Sequence, residues 1–200
     1  MTAGPPALER LVREMNPLFD RRAPESELLL AGRARLADLV ARDDWLPEAY
    51  AAPDPERYRQ YLLYRDPAAR FSVVSFVWGP GQATPIHDHT VWGLVGVLRG
   101  AELSQRFRIA RSGPPIALGP PERLYRGRVE AVSPTLGDVH RVQNAYADRV
   151  SISIHLYGAD IGAVQRWTYP RDGGRKAFVS GYSNTEASPP FAVAIAERAA

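Results

Sequence analysis

Two hundred residues, 45% of them hydrophobic, can build one sizeable core and are few for two. Without cysteine the chain can hold no disulfide, no thiolate metal ligand and no cysteine nucleophile. A net charge of +3, with acidic and basic residues interleaved, offers no concentrated basic patch for nucleic acid.

The N-terminal stretch M-T-A-G-P-P-A-L-E-R-L-V-R-E-M has charges where a secretory signal needs an apolar centre. No apolar run approaches the ~20 residues of a spanning helix. The expectation is a soluble cytoplasmic protein with neither membrane nor nucleic acid as partner. From Ala7 to Leu18 and from Ser26 to Arg42, apolar residues recur at helical intervals, among them Leu28, Leu29, Leu30, Leu36, Leu39 and Val40. Asp54 followed by Pro55 is a helix start signal, so a third helix is expected from Asp54 to Tyr64.

After Arg70 the texture changes to short β-rich runs cut by glycine and proline. They run from Phe71 to Trp78, Val91 to Leu98, Ala101 to Ile109, Arg123 to Val132 and Arg149 to Tyr157. Short strands at this spacing suggest a sandwich or barrel. The expected organisation is a single domain over 1–200: a helical N-terminal cap over 1–68, a β-barrel over 69–183 and a tail over 184–200.

His87 and His89 form an H-x-H pair, His140 lies in G-D-V-H, and His155 lies in S-I-H-L-Y. Alternate residues of an extended strand share a face, so His87 and His89 can grip one ion while a later strand brings His140 across. Three imidazoles suit iron, and also zinc, copper or nickel. Gly81, His87, His89, Gly93 and Gly100 have the spacing G-x5-H-x-H-x3-G-x6-G, and Gly137, His140 and Asn144 form a second cluster. These two clusters resemble the paired motifs of the cupin superfamily. That resemblance implies a mainly β, double-stranded β-helix (jelly-roll) barrel behind the helical N-terminal region. The cupin motif usually adds a glutamate ligand shortly after H-x-H, where this chain has Gly93 and Leu94. An ion would then be held by three neutral rings, with its charge undiminished and a face open to anionic ligands such as a thiolate.

In S-I-S-I-H-L-Y, alternation puts Ser153, His155 and Tyr157 on one face and Ile152, Ile154 and Leu156 on the other. Three polar groups in a row are costly to bury unless they satisfy one another. The expectation is that Ser153 bonds His155, His155 orients the Tyr157 hydroxyl, and the hydroxyl reaches the open side of the metal.

The segments P-I-H-D-H-T-V-W-G, G-D-V-H-R-V and S-I-S-I-H-L-Y-G resemble the cysteine dioxygenase-type thiol dioxygenases, and within them the bacterial 3-mercaptopropionate dioxygenase branch. The resemblance implies that His87, His89 and His140 bind non-haem Fe(II) and that Ser153, His155 and Tyr157 form an outer relay. It also implies a small thiol carboxylate and O2 as partners. Cysteine-specific members have an arginine where this chain has Gln60, and the mercaptopropionate branch has one on a later segment, matched by Arg166 in V-Q-R-W-T-Y-P. Arg166 and Gln60 are therefore the expected substrate-binding residues. Some relatives join a cysteine to the active-site tyrosine by a thioether; here Gly93 stands in that place, and Tyr157 is expected to be an unmodified phenol. A cysteine dioxygenase and a metal-binding cupin without oxygenase activity remain as alternatives.

Overall fold

A computed structural model describes residues 3–185 and 190–193. Helices α1 (Pro6–Asp20) and α2 (Glu25–Val40) fall where the apolar spacing puts them. Between them Arg22 is left-handed, with φ 54°. The N–H groups of Arg22 and Ala23 bond back to the carbonyls of Phe19 and Leu18, closing α1 with a Schellman turn. Leu8, Leu11, Met15, Leu36 and Val40 turn to the core. Leu30 does not: it is 74% exposed, because three consecutive leucines cannot share one helical face.

The third expected helix does not form. Asp54 does cap a turn, its Oδ1 accepting the N–H groups of Glu56 at 2.8 Å and Arg57 at 3.2 Å. The chain then runs as strand β1 (Arg59–Arg65), antiparallel to β2 (Ser72–Trp78), with Gln60 opposite Phe76. Gln60 through Tyr64 are all buried. A strand covered on both faces shows no alternation in its sequence, and the tyrosine-rich R-Q-Y-L-L-Y-R suits a pleated sheet. The barrel therefore begins at Arg59, inside the stretch expected to be its helical cap.

The remaining strands are β3 (Gly93–Arg99), β4 (Ala101–Arg108), β5 (Ile116–Ala117), β6 (Glu122–Tyr125), β7 (Val129–Val132), β8 (His140–Asn144), β9 (Ser151–Tyr157), β10 (Arg166–Thr168) and β11 (Lys176–Phe178). The run from Arg123 to Val132, expected as one strand, breaks at Gly127, with φ 82°, into β6 and β7, which join different sheets. One sheet has the order β1-β2-β9-β3-β7; in the other, β4 pairs with β5, β6 and β8, and β10 and β11 pair with each other. The result is a mainly β, antiparallel double-stranded β-helix with two helices near the N-terminus, as the motifs imply.

Strand β9 lies mid-sheet and divides the core. Ile152, Ile154 and Leu156 pack with α1 and α2. Tyr157 joins a second cluster that includes Leu62, Val74, Phe76, Trp78 and Val142, on the barrel's inner side. Of the expected tail over 184–200, Phe191 packs on Tyr50 at 4.6 Å and its N–H bonds the Leu63 carbonyl. Residues 186–189 and 194–200 lie outside the described residues. No helix among the described residues is long and apolar enough to cross a membrane.

Candidate metal centre

His87 and His140 face each other as a reciprocal backbone pair: His87 N–H to His140 O at 2.9 Å, and His140 N–H to His87 O at 3.0 Å. His89 reaches the same side two residues on, as extended chain requires. The three ring centroids are each 4.9 Å from the other two. One ligand nitrogen from each residue lies within 4.8 Å of the others, and all three residues are buried.

Each ring is also held from behind. His89 Nδ1–H donates to Asp138 Oδ1 at 2.8 Å, His87 Nδ1–H donates to the Pro85 carbonyl at 3.1 Å, and His140 Nδ1 faces Ser104 Oγ at 3.5 Å. Partners on Nδ1 leave Nε2 as the inward nitrogen. Asp138 does more: its Oδ2 accepts the N–H groups of His89 and Thr90, fixing Thr90 in a left-handed backbone, φ 59°, that β-branched residues rarely adopt. Burial would raise the Asp138 carboxyl, but the His89 contact and these N–H groups outweigh it and hold it below the usual range. Burial first, and neighbouring histidines second, push His87 down to about 3 and His140 well below its ordinary value. Buried, neutral imidazoles gathered on one point are a donor set that fits a first-row transition ion.

Among the described residues the group able to hold an ion is these three histidines. Asp88, between His87 and His89, is engaged elsewhere: Oδ1 accepts the Trp167 N–H at 2.8 Å and Oδ2 the Tyr169 hydroxyl at 2.7 Å. It thereby ties β10, and with it Arg166, beside the histidines. Leu94, at a position where cupins often have a glutamate, packs in the helix-facing core.

Ser153, His155 and Tyr157 form the expected row. Ser153 Oγ is 2.8 Å from His155 Nε2, and His155 Nδ1 is 2.7 Å from the Tyr157 hydroxyl. The Trp78 indole N–H donates to Ser153 Oγ at 3.2 Å, and Phe76 stacks on the His155 ring at 4.1 Å. Burial lowers His155 and raises Tyr157, so the ring stays neutral and the phenol stays protonated. The Tyr157 ring lies 5.6 Å from that of His89. Gly93 presses on its other side: a Cβ there would stand 2.7 Å from Tyr157 Cδ1.

Every expected site residue except Ser153, which stands behind His155, lines one cavity of about 220 Å³. Arg166 is 3% exposed. Its Nη2 donates to Ser180 Oγ, its guanidinium lies 4.6 Å from the Phe178 ring centroid, and its Nε has no partner. Burial lowers its pKa. The Gln60 side-chain N–H donates to the Gly181 carbonyl. Sequence reasoning missed Asp138, Asp88, Ser104, Tyr58 and Phe178. Of these only the aspartates had a signal, each standing beside or close to a histidine in H-D-H or G-D-V-H.

A family model for cysteine dioxygenase type I matches residues 2–169, a stretch holding all three histidines, the Ser153–Tyr157 row and Arg166. The chain belongs to the cysteine dioxygenase type I family. This family is iron-dependent and uses a thiol and O2, and the three-histidine cluster is present here. Solved structures similar to this cysteine dioxygenase family member include a Klebsiella pneumoniae protein with a double-stranded β-helix domain, at 17% identity and TM-score 0.44, covering 68% of this chain and 97% of that one. A cupin superfamily protein from Desulfitobacterium hafniense is similar at 13% identity and TM-score 0.44, covering 60% and 94%.

Proposed function

We propose that this family member is a thiol dioxygenase for a short thiol carboxylate, with 3-mercaptopropionate as the preferred substrate and Fe(II) as its metal. One observation carries the reading. Arg166 is a buried cation that pairs with no acid among the described residues, and it faces the same cavity as the three histidines. Asp88 acts on Arg166 only from beyond ion-pair contact. A buried cation without a contacting acid is costly, and a substrate carboxylate would supply one through charge-assisted hydrogen bonds to the guanidinium.

His87, His89 and His140 would hold Fe(II), which when bound would supply the redox chemistry for adding both atoms of O2 to a thiol sulfur to give a sulfinate. The protein's part is to bind, orient and exclude water. Arg166 anchors the carboxylate end, which turns the thiol toward the histidines. Tyr157, kept protonated by burial, is a neutral donor beside them. Ser153 and His155 fix its hydroxyl through the two short contacts. Gln60 adds a neutral amide to the wall, one of its two N–H hydrogens given to the Gly181 carbonyl. Tyr58, Phe76 and Phe178 add aromatic surface to the wall.

No carboxylate lines this cavity among the described residues. The ammonium of cysteine would sit among a guanidinium and a metal cation with nothing to neutralise it, which favours 3-mercaptopropionate. Iron is loaded under anaerobic conditions and O2 consumption is then followed with 3-mercaptopropionate, cysteine and cysteamine. The expected order of kcat/KM is 3-mercaptopropionate, then cysteine, then cysteamine. Faster turnover of cysteine would make the protein a cysteine dioxygenase, and comparable turnover of cysteamine would remove the carboxylate clamp.

A further inference from the structure

Behind the relay lies an ionisable residue with no role in the chemistry above. Glu102 on β4 is 0% exposed, and neither of its carboxyl oxygens has a hydrogen-bond partner at bonding geometry. Its strand alternates so that Glu102 and Ser104 share a face, and Ser104 is the residue that meets His140 Nδ1. The polar groups the Glu102 carboxyl faces are the Ser153 hydroxyl and the Trp78 indole N–H. The observed hydrogen bonds run from Tyr157 at the cavity end through His155 to Ser153 and Trp78, and the unbonded, buried Glu102 carboxyl stands next beyond them.

The donors and acceptors along this row are coupled. Trp78 can only donate, so Ser153 Oγ accepts from it and has a single hydrogen left to give. If that hydrogen goes to His155 Nε2, then His155 carries its proton on Nδ1 and donates to the Tyr157 oxygen. The phenolic hydrogen is then free to point into the cavity. If Ser153 instead gives its hydrogen to a carboxylate, His155 must carry its proton on Nε2. Tyr157 then donates to Nδ1, away from the cavity.

We propose that Glu102 is the positioning residue that sets the direction of this chain. As a neutral acid it donates to Ser153 Oγ and leaves the Tyr157 hydrogen for the cavity; as a carboxylate it reverses every bond in the row. The inference rests on the reading of Tyr157 as a donor in the proposed reaction, but the chain's direction is a property of the protein with or without turnover.

The surroundings favour the neutral form. Burial is the main influence on Glu102 and the nearby Glu130 carboxyl adds to it, opposed by Ser153 and Trp78, which brings its pKa to about 7. Glu130 on β7 is itself bound to Arg106 on β4. The cross-strand neighbours of Glu102, Leu124 on β6 and Asn144 on β8, carry no charge. His155 on β9 is held neutral by its own burial. Glu102 is thus the group of this cluster placed to change charge near neutrality.

The test reads the His155 tautomer directly. The full chain is labelled with nitrogen-15 histidine, metal-free and again loaded with diamagnetic zinc, and His155 is assigned by its loss in His155→Gln. Between about pH 5 and about pH 9 the wild type should pass from the Nδ1–H to the Nε2–H tautomer in a one-proton transition. Glu102→Gln, whose amide can donate to Ser153 but cannot ionise, should stay Nδ1–H throughout. A wild-type tautomer that does not change with pH overturns the proposal without any variant, as does a Glu102→Gln protein that switches as the wild type does. If the iron-loaded protein oxidises thiols, its kcat should fall through the same transition; Glu102→Gln should keep the low-pH kcat within about threefold and lose the fall. A protein that switches tautomer but oxidises no thiol would refute the proposed function and leave this inference standing.

Discussion

Asp138 accepts the Nδ1–H of His89 at 2.8 Å from a point two residues before His140, so one short segment both supplies a histidine of the trio and aims another. The same carboxylate holds the His89 and Thr90 backbone amides. Replacing it with a neutral amide should loosen the ring that it orients. Asp138→Asn is expected to weaken iron binding by roughly 10- to 100-fold, read by titration against a chelator of known affinity. Unchanged affinity would mean that the backbone alone aims His89.

Arg166 is the only permanent positive charge lining the cavity among the described residues. Arg166→Ala should cost about 1.5 to 3 kcal/mol of substrate interaction, roughly 10- to 150-fold in kcat/KM for 3-mercaptopropionate. The effect on cysteamine, which has no carboxylate, should be much smaller. Equal losses for both thiols would make Arg166 a structural residue.

Gly93 leaves room for the Tyr157 ring, and an added methyl would meet Cδ1 at 2.7 Å and Cε1 at 2.8 Å. Val132 closes the other side at 3.2 Å, so the ring has to shift. Gly93→Ala should retain iron yet lower kcat, by up to roughly 100-fold for a displacement near 1 Å. Iron content and kcat measured on the same preparation separate this from a general loss of fold.

The buried imidazoles make stability depend on pH. His87 falls to about 3, and His140 and His155 also lie below their ordinary value, with burial the leading cause. Between those values and the unfolded value of about 6.5, the unfolded chain binds more protons than the folded one. Their contribution is therefore complete above about pH 6.5 and is lost as pH falls toward the folded values. Glu102, raised to about 7, contributes in the opposite sense, so the check uses metal-free Glu102→Gln: its Tm should decline as the buffer is taken below about pH 6.5, and a flat Tm there would mean that these rings are not buried neutral.

Much of the site was legible because it depends on local spacing. H-x-H and S-x-H-x-Y place side chains on one face through strand alternation alone, and His140 needed only one further strand to reach them. Strand β1 was not legible. Asp54 and Pro55 give a true turn signal, but pairing with β2 and burial on both faces override the helix it announces. Ser104 and Glu102 were hidden for another reason: their neighbours lie on strands distant in sequence, and only the pairing of β4 with β8 and the closure of the barrel bring them behind the histidines. Leu30 shows the converse error, since a leucine inside an apolar run need not face the core when its neighbours already fill that face.

The most direct test of a thiol dioxygenase built on three neutral histidines and a buried guanidinium is the fate of molecular oxygen. Iron-loaded protein is given 3-mercaptopropionate under oxygen-18 gas, and the product is weighed by mass spectrometry. The expected product is the sulfinate with both labelled atoms, formed only when iron and thiol are present together. Oxygen uptake that yields only disulfide, a product with a single labelled atom, or no thiol-dependent uptake would contradict the assignment.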